Sequence, residues 1–182
     1  MKATIRMKKI AEDFTDVVAI RSGSLVPEID SFEAADLVAE VYDRLPENAS
    51  GRVKVDGASA TGTVHIDFDK TARAVSNLVE NALKFDESGA PVELSLTNGH
   101  GGLSITVRDQ GPGIPPGQRE AVFDRFYQLG DSMHHHHEGM GMGLFIARNV
   151  IEAQGGRLTL KSTPGGGCTF TINLPQSLYK GG

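Results

Sequence analysis

The stretch Asn77-Leu78-Val79-Glu80-Asn81-Ala82-Leu83-Lys84-Phe85 (NLVENALKF) lies inside residues 67–85, which read as one helix. At about 100° per residue, Ala72, Val75, Leu78, Val79 and Ala82 share a broad apolar face, while Asn77, Asn81 and Lys84 align on the opposite stripe. Asparagine is a mediocre helix former, and a solvated face would carry Glu, Lys or Gln at lower cost. An amide oxygen is a hard, neutral ligand suited to Mg²⁺, and a lysine one turn further on can meet a phosphate. The plain alternative is a helix with incidental asparagines.

Composition narrows the partners. A chain of 182 residues is long enough for one domain with its own core plus an appendage. Hydrophobic residues at 39% and charged residues at 23% fit a globular chain. A net charge of -5 and a pI near 5.6 exclude a general nucleic-acid binder, so a polyphosphate ligand would need a local cation. The single cysteine, Cys168, excludes an internal disulfide and fits a reducing compartment; with no transmembrane-length apolar run and no signal-peptide pattern, the expected location is cytoplasmic. The 22 glycines cluster at 99–102, 111–117, 139–143 and 165–167, which marks particular loops.

Toward the N-terminus, Ala3, Met7, Ile10, Phe14 and Val17 recur at spacings of 4, 3, 4 and 3, the seam of a helix that packs on another helix. Two heptads leave open a partner helix, which the seam favours, or a fold back onto the same domain. Gly23 and Pro27 mark a joint, after which Asp30 or Ser31 is expected to cap a helix over residues 32–45. Residues 52–56 and 63–66 read as strands. Past the central helix, Val92, Leu94 and Leu96 and then Leu103, Ile105 and Val107 alternate with polar residues across a turn at 98–102. A helix over 143–153 precedes a last pair of strands, Leu158 and Leu160 against Phe170, Ile172 and Leu174. Strands with one polar face and few helices imply an α/β (α+β) two-layer sandwich, its mixed, mostly antiparallel sheet covered on one face by about three helices.

Two glycine loops flank this layout. Asp109-Gln110-Gly111-Pro112-Gly113-Ile114 follows the strand ending at Val107. A carboxylate there can accept from an exocyclic amine while glycines let backbone approach a flat ligand. Adenine offers that amine; guanine offers a carbonyl and would be rejected. The second loop, Gly139-Met140-Gly141-Met142-Gly143-Leu144, opens a helix whose N-terminal amides can hold phosphate oxygens. It lacks the Walker lysine and no strand leads into it, so the P-loop and Rossmann readings fail. Between them, Phe123-Asp124-Arg125-Phe126-Tyr127 reads as core aromatics.

In order and spacing, NLVENALKF, DQGPGIP, FDRFY, GMGMGLFIAR and GGGCTFTINLP resemble the N box, first glycine box, F box, second glycine box and final strand of the sensor histidine kinases. The resemblance covers about residues 30–175 and implies the Bergerat ATP-binding fold. Residues 1–29 resemble the end of a dimerisation helix and its joint, and 176–182 would be a tail.

Carried over, the resemblance implies ATP and Mg as ligands, with Asn81 on Mg²⁺, Lys84 on phosphate and Asn77 beside them. Phe85 and Asp109 would meet adenine, with Gly111 and Gly113 along the base. Gly141, Gly143 and Leu144 would form the phosphate-facing end of the lid, Ile114, Phe126 and Met142 would also be among the nucleotide-binding residues, and Thr169 would place a hydroxyl near adenine. DNA gyrase, MutL and the anti-sigma-factor kinases carry a glutamate four residues before the Mg²⁺ asparagine; here that position is Asn77. An amide cannot take a proton from water, so hydrolysis should be poor.

The implied partners are a dimerisation domain bearing the acceptor histidine, a response regulator, and a second copy in a homodimer of the full-length protein. A His-Glu or His-Asp acceptor pair on a helix does not occur in this sequence, and Gln128 stands where relatives often have arginine. The rival reading is a degenerate nucleotide- or partner-binding module. His134 to His137 with Glu138 could bind a metal, but adjacent loop residues seldom reach one centre, and a mobile lid over 130–143 is the expectation.

Overall fold

The computed structural model describes residues 2–45, 49–59, 62–99, 102–128 and 140–176. His100, the histidine run and most of the expected lid lie outside the described residues, as does most of the 176–182 tail.

Helix α1 (Lys2–Ser22) leads through a joint into strand β1 (Asp30–Glu33) and helix α2 (Ala34–Arg44). Strands β2 (Val53–Ser59) and β3 (Thr63–Ile66) precede the central helix α3 (Phe68–Phe85). Then come β4 (Val92–Gly99), β5 (Gly102–Arg108), α4 (Gly143–Ala153), β6 (Arg157–Ser162) and β7 (Cys168–Leu174). Five strands form one sheet in the order β2-β4-β5-β7-β6, parallel only between β2 and β4. Helices α2, α3 and α4 bury Leu37, Val41, Leu78, Val79 and Ile151 against Leu94, Ile105 and Ile172 in one core, which gives the expected two layers.

One expectation fails at the start of α2. Asp30 and Ser31 do not cap a helix; they pair antiparallel with Ile66 and His65 in a small second sheet, β1 with β3. Glu33 occupies the cap position and makes no side-chain cap bond. Capping chemistry and a four-residue edge strand look alike locally, and the partner strand decides between them.

Asp67 caps α3 by accepting from Lys70 N at 3.1 Å, and its other oxygen accepts from Glu28 N at 2.9 Å. The joint is therefore tied to the central helix by the same carboxylate that starts it.

Helix α1 lies back on the domain. Val17 packs with Met142, Ile146 and Val150 of the α4 segment. Asp13 and Asp16 are both buried and share Arg73 of α3, at 3.4 and 2.8 Å, and Lys9 pairs with Glu80. Met7, at 71% exposed, and Phe14, at 65%, stay outside, so the seam read from sequence splits between self-packing and an open stripe.

Burial pushes the Asp13 and Asp16 carboxyls up, and the pull of Lys9, Lys70 and Arg73 does not cancel it. Protonation therefore favours the docked helix: docking strengthens as pH falls through these raised values and is weakest once both are charged. Arg73→Ala leaves two buried carboxylates uncompensated and is expected to cost about 3 kcal/mol of α1 docking at neutral pH, partly recovered in acid. Amide hydrogen exchange along α1 reads this directly. Unchanged protection in Arg73→Ala would show that Val17 and its neighbours hold the helix alone.

Candidate functional site

The C-terminal half of α3, the loop after β5 and the start of α4 converge. Asn77 is 7% exposed, Asn81 and Lys84 are half-buried, and a Cβ on Gly143 would stand 3.6 Å from Asn77 Cγ. The polar stripe is thus covered partly by α4 and, at Arg73 and Glu80, by α1; it is not an open face. Among the described residues neither asparagine side chain makes a hydrogen bond. Neither amide is sealed from solvent, since among the described residues the one buried side-chain nitrogen or oxygen without a partner is Arg52 Nε, so both amides are available to a ligand. The Lys84 ammonium lies 4.9 Å over the Phe85 ring.

Asp109 is 6% exposed. Its Oδ1 accepts from Gly111 N at 2.9 Å and Cys168 N at 3.1 Å, while its backbone N donates to Cys168 O at 3.0 Å. Its Oδ2 has no partner among the described residues. Burial raises the Asp109 carboxyl; the Gly111 and Cys168 amides pull it down, and the nearby Asp86 charge adds to the rise, which wins. One oxygen is spent on the fold and the other is left to accept, which suits a donor such as an exocyclic amine.

The glycines around it serve protein–protein approach more than ligand approach. Gly113, at φ 74°, puts a would-be Cβ 2.1 Å from Thr163 O, and Gly167, at φ 78°, puts one 2.1 Å from Asp109 O. Only glycine lets the 111–114 loop lie on the turn between β6 and β7. Ile114 sends its side chain into the core and donates its N–H to Ser162 Oγ at 2.7 Å, so it does not line the base through its side chain.

Four more expected site residues sit otherwise than the sequence suggested. Thr169 pairs with Arg108 and Lys161 on the outer face of the sheet, away from the Asp109 loop, because residues alternate along β7. Cys168, one residue earlier, is the buried neighbour, its thiol 3.3 Å from Ser162 Oγ. Met142 packs on α1, leaving only its backbone at the mouth of α4, and Leu144 packs against the core. Phe126 is 59% exposed with φ 64°, its N–H bonded to Gly141 O at 3.0 Å, whereas Phe123 is core. Gly141, at φ 65°, has no room for a Cβ beside Tyr127 O and Phe126 C.

Sequence reading missed Asp86 and Arg52. Asp86 is 1% exposed and accepts from Ser88 N at 2.9 Å, from Ser88 Oγ, and from Gln110 N at 3.0 Å. The Arg52 guanidinium donates to Asp86 O at 2.9 Å and to Leu83 O and Ala90 O at 3.4 Å, capping the end of α3. The Arg52 contacts and the Asp86–Gln110 bond join residues far apart in sequence, and no local pattern announces them.

A helix N-terminus, two unspent amides, a lysine and a buried carboxylate with one open oxygen define a nucleotide-binding ATPase architecture. Residues 66–178 match the family described as histidine kinase-, DNA gyrase B-, and HSP90-like ATPase. The chain belongs to this family, as a histidine-kinase-type ATPase domain. It is 34% identical to the signal transduction histidine-protein kinase AfsQ2 of Streptomyces coelicolor, over 95% of this chain and 31% of that protein. It is 31% identical to the hybrid signal transduction histidine kinase D of Dictyostelium discoideum, over 94% of this chain and 12% of that protein. Its fold is that of ShkA, a full-length crystal structure in complex with AMPPNP: TM-score 0.77, 22% identity, 96% of this chain and 36% of that one. The chain spans less than a third of the length of these two curated relatives.

Proposed function

We propose that this domain presents Mg-ATP to a histidine carried by a dimerisation domain. The observation that carries the reading is Asp109, a nine-tenths buried carboxylate with one oxygen saturated by two backbone amides and the other open. Oδ2 accepts from the adenine amine, and Phe85 lies against the base. Asn81 holds Mg²⁺ with Asn77 next to it, Lys84 meets phosphate, and the amides at Gly141 to Gly143 receive the anion at the start of α4. Mg²⁺, when bound, neutralises charge building on the phosphoryl oxygens. Asp109, Phe85, Asn81 and Lys84 orient the nucleotide; with Asn77 in place of a carboxylate, that position takes no proton from water.

Under this reading residues 1–29 are the end of the dimerisation helix and its joint, and 30–175 the catalytic domain. The exposed Met7 and Phe14 stripe supports a second copy as its partner in the full-length protein. A response regulator would then take the phosphoryl group from the acceptor histidine, with ATP and regulator both met in the cytoplasm. Among the described residues, no helix is long and apolar enough to cross a membrane.

Asn81 and Asp109 have separate jobs, and this is testable by calorimetry. Asn81→Ala is expected to reduce the gain in ATP affinity that Mg²⁺ provides by about tenfold or more, while adenosine binding is unchanged. Equal loss of adenosine and Mg-ATP affinity would show that Asn81 supports the pocket and does not hold the ion.

A further inference from the structure

We propose that Asp86 is a positioning residue for adenine recognition, fastening the Asp109 loop to the end of α3. This rests on the adenine reading of Asp109 and adds the residue that sets where Asp109 stands.

Asp86 follows Phe85 directly and closes α3, its N–H bonded to Ala82 O at 3.0 Å. Its side chain has no room for a ligand. Oδ1 is taken by Ser88 N and Ser88 Oγ, Oδ2 by Gln110 N, and its carbonyl by Arg52. Gln110 N goes to Asp86 and Gly111 N goes to Asp109, so two carboxylates, one from the end of α3 and one from the loop itself, hold successive amides of one loop. The nesting is close: a Cβ on Gly111 would meet Asp109 Oδ1 at 3.1 Å and Phe85 O at 3.2 Å. Phe85 and Asp109, the two groups assigned to the base, are therefore joined through Asp86.

The charges oppose each other in a useful way. Burial pushes the Asp86 carboxyl up, but the Ser88 and Gln110 donors and the Arg52 charge outweigh it and hold Asp86 below the usual carboxylate range. Asp86 is thus charged wherever Asp109 titrates, and its charge helps raise Asp109. Among the described residues, the Arg52 charge also acts on Asp86, and Cys168, which donates its N–H to Asp109, is in turn within reach of the Arg119 charge.

The test is Asp86→Asn in the full chain, with adenosine, ADP and ATP titrated across pH. An amide accepts on one side only; its oxygen stays with the two Ser88 donors and its NH₂ faces Gln110 N, so the Gln110 tether goes. Adenosine and ATP affinity should fall by the same factor, about tenfold, with the benefit from Mg²⁺ intact. The acid midpoint of binding should move to lower pH, because Asp109 loses a neighbouring negative charge. Undiminished affinity, or a loss with an unmoved midpoint, would overturn the proposal. If the variant does not fold, the amide resonances of the unmodified chain serve instead: Gln110 should titrate at lower pH, with Asp86, than Gly111, with Asp109. A shared midpoint, or a Gln110 resonance that does not respond, would overturn it equally. Failure of the unmodified chain to prefer adenosine over guanosine would instead overturn the reading of Asp109 itself, and the proposal with it.

Discussion

Asp109→Asn should weaken ATP binding by roughly 30- to 100-fold and shift preference toward GTP, the loss of a charge-assisted hydrogen bond replaced by a donor facing a donor. The direction follows from which oxygen is already committed. Gly111 N and Cys168 N both point at Oδ1 and require an acceptor there, so the asparagine oxygen must take that place. The new NH₂ then falls at the Oδ2 position. It faces the adenine amine unfavourably and suits the guanine carbonyl. Competition calorimetry with ATP and GTP against parent and variant checks this. Parent affinity should also decline as pH drops through the raised Asp109 carboxyl, earlier than an ordinary aspartate would give. A parent chain that binds GTP and ATP equally would sink the assignment.

Much of this site could be read from the chain because its elements are periodic. Helices α3 and α4 and the β4–β5 hairpin match the stretches whose apolar spacing announced them, and Asn77, Asn81 and Lys84 came from one helical stripe. What escaped the sequence is non-local. Strand β1 looks like a helix cap until β3, more than thirty residues on, pairs with it. Nothing in the sequence announces that the stripe of α3 is partly covered, which follows from Arg73 meeting Asp13 and Asp16 and from Asn77 lying under Gly143. Thr169 and Cys168 differ by one place on a strand, and in a period-two element one place exchanges the core face for the outer face. Asp86 makes a local turn with Ser88, but its bond to the Gln110 amide across the fold has no local signature.

The second large effect concerns reaction rather than binding. With Asn77 where the resemblance places a glutamate in other ATPases, that position offers water no base, and a catalysed hydrolysis step typically owes about 10²- to 10⁴-fold to such a group. The isolated chain should therefore bind ATP and turn it over very slowly. Asn77→Glu is expected to raise phosphate release if the pocket tolerates the longer side chain under Gly143. The chain's own histidines should stay unmodified. His65 sits on β3 with its Nδ1 3.0 Å from Ser31 Oγ and is not on a helix beside an acid.

The most direct test supplies what this site is built to serve: a dimerisation segment with a helical His-acid pair, in cis or in trans, incubated with the chain and γ-labelled Mg-ATP. The expected result is acid-labile, base-stable label on the histidine of the added segment, dependent on Asn81 and Asp109, with little free phosphate released by the chain alone. Rapid phosphate release by the isolated chain would contradict it. So would ATP binding without any labelling of a segment that an active relative labels in parallel.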